Sequence, residues 1–152
     1  MQDSSLRLFK KYQNQFGFTT LQAFKKAGKD QQKALLMIAK ATQEGYRVAV
    51  TVVEAANCLA SYKKGDKLVF NLDGQSIPEE STTARMCWGL IWPLSLNFAY
   101  NEALMANGIH PTSAYNEDID CIDPGLGHKG GFGHVKVRVQ IEKTKGALKT
   151  SK

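Results

Sequence analysis

The fold of this chain is limited first by a strict alternation of side chains near its C-terminal end. Over residues 134–142, four aliphatic side chains alternate with four polar ones: Val135, Val137, Val139 and Ile141 against Lys136, Arg138, Gln140 and Glu142. Because side chains alternate between the two faces of a strand, this segment predicts a strand with one buried face. Residues 46–54 alternate in the same way and predict a second strand, long enough to lie beside the first. The alternation of Leu68, Phe70 and Leu72 predicts a third.

A long apolar segment between these strands predicts the helix on which the sheet packs. Residues 79–107 carry apolar side chains on most faces of a helix, which is typical of a helix central to a core. Pro93 is expected to kink this helix or divide it in two. Trp88 and Trp92, four residues apart on one face, are expected to pack in the core; the alternative is a stacking platform for an aromatic ligand.

Three short helices are predicted before the first strand. The first has apolar residues at helical spacing: Leu6, Phe9, Tyr12 and Phe16. Thr19 or Thr20 can cap the second helix, LQAFKKA, and Asp30 can cap the third, which Gly45 ends. Helices this short bury little surface alone, so we expect them to pack on the rest of the chain or on a partner.

These elements together predict an α+β fold. A small, mainly antiparallel sheet packs on one long apolar, Pro-kinked helix and carries an N-terminal helical appendage. The 152 residues suit one main domain. We expect residues 1–45 to form the helical appendage, residues 46–143 the α+β core domain and residues 144–152 a disordered basic tail.

Charge is distributed unevenly along the chain. Residues 1–45 carry a net charge of +5, residues 46–127 of −5 and residues 128–152 of +6. Basic ends can bind an anionic partner, or they can fold back on the acidic middle or on a neighbouring subunit. Three widely spaced cysteines, with neither an apolar signal segment nor a membrane span, predict a reduced, cytoplasmic protein.

A glycine-rich segment precedes the last strand. GLGHKG at residues 125–130 has the letters of a dinucleotide-binding loop, but a strand is predicted after it where that loop needs a helix, so dinucleotide binding is rejected. The glycines indicate either a flexible loop or a loop that covers a site. Four acidic side chains lie nearby: Glu117, Asp118, Asp120 and Asp123. They lack the spacing of a calcium loop and are expected to be solvated.

The three cysteines are the main candidates for chemistry. Cys58 follows the first strand, Cys87 lies in the apolar helix and Cys121 in the polar segment after it. With one imidazole from His110, His128 or His134, of which His110 is the chosen ligand, they would make a tetrahedral site for a transition metal such as zinc or iron, provided that the fold brings them together. The alternatives are a buried, unreactive Cys87 with two incidental cysteines, or one reactive thiol. Cys58 precedes two lysines that favour a thiolate, whereas Cys121 lies among carboxylates that oppose one.

Histidines beside carboxylates add a second kind of candidate. His110, His128 and His134 lie near Asp120 and Asp123, and could supply an acid/base pair or metal ligands, although histidines in polar loops usually face solvent. We expect a thiolate ligand or nucleophile, an aspartate as acid/base or orienting group, and a histidine as proton carrier or ligand. The candidate catalytic residues are Cys58, Cys121, Asp123, His128 and His134.

With the cysteines placed, the segment from Arg47 to Lys143 resembles a family of small bacterial proteins of unknown function. Its members carry a first Cys followed by a G-D turn, a second Cys opening an apolar helix, and a Cys-Pro-Asp-Pro-like motif. The residues that fit this pattern are Cys58, Gly65, Asp66, Cys87, Pro93, Cys121, Asp123 and Pro124. Ile122 departs from it, standing where the family more often has Pro, and residues 59–62 replace the usual Pro and Gly. The resemblance implies a compact α+β metabolic protein whose Cys and Asp residues cluster at one place.

Three functions therefore remain open. The first is a small cytoplasmic subunit or enzyme of bacterial small-molecule metabolism with a Cys/Asp/His site that takes a small-molecule ligand. The second is a non-catalytic structural or regulatory subunit, binding a protein partner or a second copy through the N-terminal helices. The third is a basic nucleic-acid-binding module, which scattered lysines and an acidic middle disfavour.

Overall fold

A computed structural model describes residues 2–11, 20–127, 129 and 131–144. The elements of these residues, in chain order, are helices α1 (Gln2–Lys11), α2 (Leu21–Lys26) and α3 (Lys29–Gln43), strands β1 (Tyr46–Ala56) and β2 (Lys67–Phe70), helices α4 (Trp88–Ala106) and α5 (Pro111–Ala114), and strands β3 (Asn116–Asp120) and β4 (His134–Lys143). The predictions for His128 and for the tail beyond Thr144 fall outside the described residues.

The described strands form one antiparallel sheet in the order β2-β1-β4-β3. Val50 of β1 pairs with Val139 of β4, so the two strands with the clearest alternation are neighbours, as predicted. Val137 and Val139 are completely buried, whereas Arg138 between them is exposed. The α+β class and the buried face of the last strand are therefore confirmed.

Helices cover the apolar face of the sheet. Leu90 and Leu94 of α4 belong to the same buried core as the valines of β1 and β4. Ile38 of α3 joins this core, so the third helix belongs to the main body of the fold. Phe9 and Phe24 form a second cluster with α3, their ring centroids 4.6 Å apart. The first two helices thus bury their aromatic side chains within the chain.

One of the two predicted N-cap residues, Thr20, caps its helix, and the other, Asp30, does not. Thr20 caps α2, because its hydroxyl oxygen accepts the N–H of Ala23 at 3.1 Å. Asp30 does not cap α3. The N-cap lies two residues earlier, at Gly28, whose N–H donates to the side chain of Gln31 at 2.9 Å.

The apolar helix begins later than its composition predicts. A 3-10 turn occupies Pro78–Glu80, and α4 starts only at Trp88. Ser81 and Thr82 explain the delay, because their hydroxyl oxygens accept backbone N–H groups of β2, at 2.9 Å from Val69 and 2.7 Å from Lys67. Hydroxyl side chains that bond to a neighbouring backbone compete with helix formation. The segment therefore extends along the sheet edge before it turns into α4.

Pro93 lies inside α4 without dividing it. Proline has no N–H, so the carbonyl of Gly89, four residues earlier, receives no helical hydrogen bond from it. That carbonyl instead accepts the N–H of Ile122 at 2.9 Å. Because of the proline, the Gly89 carbonyl is free to accept this bond, which holds the segment after β3 against the first turn of α4.

The tryptophans of α4 face outward, so the predicted core packing is wrong. Trp88 keeps 81% of its surface exposed and Trp92 62%. Asn97 and Asn101 are buried instead, with the Nδ2 of Asn101 donating to Asn97 at 3.0 Å and the Nδ2 of Asn97 donating to Glu117 at 2.9 Å. Because the helix is apolar on most faces, its composition does not specify which face is buried; this amide chain to β3 holds the asparagine face inward.

Strand β3 lies in a segment predicted to be irregular. Its residues are mostly polar and mostly exposed, as is usual for a strand at the edge of a sheet. Arg138 of β4 donates two hydrogen bonds to Asp118, at 2.8 and 3.0 Å, and lowers the pKa of that carboxyl group. Such cross-strand pairs stabilise an edge strand that lacks apolar alternation. None of the described helices is both long enough and apolar enough to cross a membrane.

Candidate functional site

The topology gathers candidate residues at one end of the sheet. Strands β1 and β3 both run antiparallel to β4, so they end beside the place where β4 begins. Cys58 follows β1, Cys121 follows β3, and His134 is the first residue of β4. Strand pairing places these residues side by side. Ala56 pairs with His134, and the N–H of Cys121 donates to the carbonyl of Val135 at 2.8 Å.

A cavity of about 350 Å³ occupies this end of the sheet. Its walls come from the turn after β1, the first turn of α4, the segment after β3 and the start of β4. The lining residues are Cys58, Leu59, Ala60, Tyr62, Cys87, Gly89, Leu90, Cys121, Ile122, Asp123, Pro124, Gly133, His134 and Val135. Leu59 and Ile122 are exposed. All three cysteines line this one cavity as free, half-buried thiols.

The predicted metal set does not form. Among the residues that the structure describes, no group of three or more His, Cys, Asp or Glu side chains is placed to hold a metal ion. His110 lines a different pocket, beneath α3, with its ring edge against Tyr46 at a centroid distance of 5.7 Å. It follows the C-terminal end of α4, whereas Cys87 precedes the other end, and a helix of 19 residues spans about 28 Å. Cys58, Cys87, Cys121 and His110 therefore cannot be ligands of one ion.

Asp123 closes the glycine-rich loop. Its carboxylate accepts the N–H groups of Gly125 at 3.0 Å, Phe132 at 2.9 Å and Gly133 at 3.1 Å. The hydrogen bonds from Gly125 and Phe132 are the main cause that lowers the pKa of Asp123, and Gly133 and His134 lower it further. A carboxylate that is ionised and accepts three hydrogen bonds is a poor proton donor. The geometry therefore favours the orienting role for Asp123 over the acid role.

The loop should lose this closure in acid. Because the pKa of Asp123 is lowered on folding, its contribution to stability is present above the unfolded value of about 3.9 and is lost as the pH falls through the lower folded value. We expect the Gly125, Phe132 and Gly133 amides to lose protection from hydrogen exchange below about pH 4, as measured by NMR.

Core amides such as that of Val139 serve as the internal control and should stay protected in the same samples. Asp123→Asn should expose the three loop amides at neutral pH as well. Equal protection of those amides at pH 2 and pH 6 would show that the carboxylate does not hold the loop.

The turn that carries Cys58 is tightly held by its neighbours. A Cβ atom at Gly133 would lie 2.9 Å from the Cα of Cys58 and 2.8 Å from the carbonyl carbon of Asn57, so only glycine fits there. Asn57 and Ser61 on either side of Cys58 both adopt positive φ, at 50° and 59°. A left-handed serine is unusual, and such backbone conformations persist only where surrounding contacts impose them.

Cys121 is held by hydrogen bonds to its sulfur. The N–H of Val135 donates to its Sγ at 3.2 Å, and the thiol donates to the carbonyl of Asp123 at 3.6 Å. These bonds continue the pairing between the end of β3 and the start of β4. The sulfur therefore has a positioning function that the sequence does not reveal.

His134 pairs with a carboxylate beside the cavity. Its Nε2 lies 3.2 Å from Oδ1 of Asp120, and Lys136 Nζ lies 3.9 Å from the same oxygen. No hydrogen bond joins a cysteine sulfur to an imidazole within the described residues. The pair lies beside the cavity that the thiols line, but a thiol–imidazole pair is not formed in advance.

Tyr62 is a cavity residue that the sequence analysis did not identify. Its hydroxyl donates to the carbonyl of Arg85 at 2.6 Å and so holds the chain just before Cys87. Burial raises the pKa of Tyr62, and the neighbouring Cys87 raises it further, so the phenol stays protonated at neutral pH. An aromatic residue in a lysine-rich turn has no pattern that could have predicted this role.

Cys87 is the N-cap residue of α4, and its side chain makes no capping hydrogen bond. The first turn of α4 contains no acidic residue, so the positive end of the helix dipole at this side of the cavity is not neutralised from within the helix.

No family model, curated protein or solved structure matches the chain. The resemblance of residues 47–143 to the three-cysteine family therefore rests on its motif residues and stays a prediction.

Proposed function

We propose that the protein is a small metabolic enzyme, or the reactive subunit of one, that uses a cysteine thiol on a small, largely apolar electrophile. The observation that carries this proposal is that Cys58, Cys87 and Cys121, from three separate parts of the chain, line one cavity. Thiol chemistry needs sulfur in a partly enclosed, reachable place, and the half-buried thiols of this cavity meet that requirement.

Cys87 is the best placed nucleophile of the three. A negative sulfur at a helix N-terminus lies next to the positive end of the helix dipole, a common way to activate a catalytic cysteine. The sulfur of Cys121 is already engaged with Val135 and Asp123. Cys58 lies in a strained turn and is the second choice. The pair of His134 and Asp120 would accept the thiol proton.

The cavity wall limits the substrate class. Leu59, Ala60, Leu90, Ile122 and Val135 provide an apolar lining, and the volume of about 350 Å³ lies near the small end of ligand pockets. A metabolite with a short apolar portion and one electrophilic centre fits these dimensions. Asp123 would keep the glycine-rich loop closed over the cavity rather than take part in the reaction.

Differential alkylation tests the proposal. The native protein is treated with a limiting amount of iodoacetamide at neutral pH, and peptide mass spectrometry measures the modification rate of each cysteine. We expect Cys87 to react at least about tenfold faster than Cys121 and faster than the same cysteine in the denatured chain. Three cysteines that all react more slowly when native than when denatured would contradict the proposal.

Matched variants make the result specific. Cys87→Ser should abolish the fast phase, whereas Cys58→Ser and Cys121→Ser should retain it. His134→Asn should slow the labelling of Cys87 several-fold. His110→Asn is the control, because His110 lines a separate pocket and should leave the rate unchanged.

A further inference from the structure

Three parts of the chain meet around Phe98 of α4, away from the cysteine cavity. A Cβ atom at Gly74 would lie 3.8 Å from Cδ1 of Phe98, so the turn that follows β2 packs against this ring. The ring of Tyr115 lies edge-on to Phe98, with the two centroids 5.5 Å apart. Glu102 follows Phe98 by four residues and therefore lies on the same face of α4.

Two carboxylates lie near each other at this place. Asp73 belongs to the turn, where its Oδ1 accepts the N–H of Gln75 at 3.1 Å and the carboxylate is thereby oriented. Desolvation raises the pKa of Glu102, and the like charge of Asp73 raises it further. Neither carboxylate forms an ion pair within the part of the chain that the structure describes. Their repulsion is therefore not offset by a cationic side chain of those residues.

The hydroxyl of Tyr115 faces the two carboxylates. Tyr115 is 1% exposed, and its hydroxyl makes no hydrogen bond to any described residue. Burial is the main cause that raises the pKa of this phenol, and the charges of Glu102 and Asp73 raise it further, which places the hydroxyl end of the ring beside both. A buried hydroxyl that pairs with no protein group needs another partner, either a water molecule or an ion.

We propose that Asp73, Glu102 and Tyr115 form a binding site for Ca²⁺, with two carboxylates and one phenol oxygen as its protein ligands. Oxygen donors of this kind suit a hard cation. A cation accounts for both observations, because it offsets the two negative charges and takes the phenol oxygen as a neutral ligand, whereas a water molecule would serve the hydroxyl alone. Ca²⁺ suits the place better than Mg²⁺, since it tolerates irregular geometry and variable ligand number.

The proposed calcium site is separate from the cysteine cavity. Glu102 follows Cys87 by fifteen residues, which is about 22 Å along a helix, so this proposal does not rest on the proposed function. The site also differs from a cluster of three His, Cys, Asp or Glu side chains, which the described residues do not form. With only two carboxylates, we expect a dissociation constant of about 0.1–1 mM, in the range of weak calcium sites.

Thermal unfolding of the full chain tests the site. CaCl₂ at about 10 mM should raise the Tm by at least about 3 °C over KCl of equal ionic strength. Asp73→Asn and Glu102→Gln should each abolish this rise, and without Ca²⁺ both variants should be at least as stable as the parent, because the repulsion between the carboxylates is gone. Glu54→Gln is the matched control, since it removes an exposed carboxylate near the end of β1 and should retain the full rise.

Tyr115→Phe gives the measurement that is specific to the hydroxyl. Because this hydroxyl bonds to no described residue, its removal should leave the Tm without Ca²⁺ unchanged but weaken Ca²⁺ binding several-fold, as measured by isothermal titration calorimetry. An equal Tm in CaCl₂ and in KCl would overturn the proposal, as would a rise that survives both carboxylate variants. A Tyr115→Phe variant that is less stable without Ca²⁺ and binds the ion as the parent does would assign the hydroxyl to a water molecule, and would also overturn it.

Discussion

Leu90→Ala is expected to lower the free energy of unfolding by about 2–5 kcal/mol, measured by urea denaturation. Leu90 is 1% exposed, belongs to the main core and also lines the cavity. Its truncation removes apolar contacts and leaves a space that the helix and sheet cannot close, because β1 and β4 are fixed by their own ladder. The same change should enlarge the cavity and loosen the first turn of α4.

Leu96→Ala provides the matched control on the same helix. Leu96 is exposed on the outer face of α4, so its truncation should change stability by no more than about 0.5 kcal/mol. Equal losses for Leu90→Ala and Leu96→Ala would mean that α4 is rotated about its axis. The cavity depends on this rotation because Leu90 lines it, so the pair of variants also tests the basis of the proposed function.

Gly133→Ala is expected to destabilise the protein by about 1–3 kcal/mol and to alter the labelling of Cys58. The added methyl group meets backbone atoms of Asn57 and Cys58, which cannot move aside as a flexible side-chain tip can. To remove this steric overlap, either the turn that carries Cys58 or the loop that Asp123 closes must shift. Urea denaturation measures the first effect and iodoacetamide labelling the second.

Gly127→Ala is the corresponding control, because a Cβ at Gly127 would meet no atom of the described residues within 4 Å and the residue is in the same loop. It should leave both stability and Cys58 labelling within error of the parent. If Gly133→Ala is as well tolerated as Gly127→Ala, the close approach between the loop and the Cys58 turn is absent in solution.

The strands show how far a local pattern can predict this fold. The alternation over residues 46–54 and 134–142 predicted both central strands and the buried face of the second, because the period of two is a property of the chain itself. Strand β3 escaped prediction, since its pairing depends on β4 and on the bonds between Asp118 and Arg138. Edge strands stabilised by a distant partner have no signature in their own sequence.

The sequence predicts which residue types form the candidate site, but it does not predict the role of each residue. The residue types and neighbours of Cys58, Cys121, Asp123 and His134 predict a site, and these residues line one cavity. The loop-closing role of Asp123 depends on three backbone N–H groups that only a folded loop presents. His110 lines a different pocket from the thiols, and the length of α4 separates it from Cys87.

The sequence by itself determined the α+β class, the central strands and the presence of three thiols, because periodicity and composition act locally. Tertiary structure alone decided that those thiols line one cavity, since β1 and β3 end beside the start of β4 and the first turn of α4 packs at the same place. It also decided which face of α4 is buried, because a helix that is apolar nearly all round has no preferred side until Asn97, Asn101 and Glu117 join by hydrogen bonds.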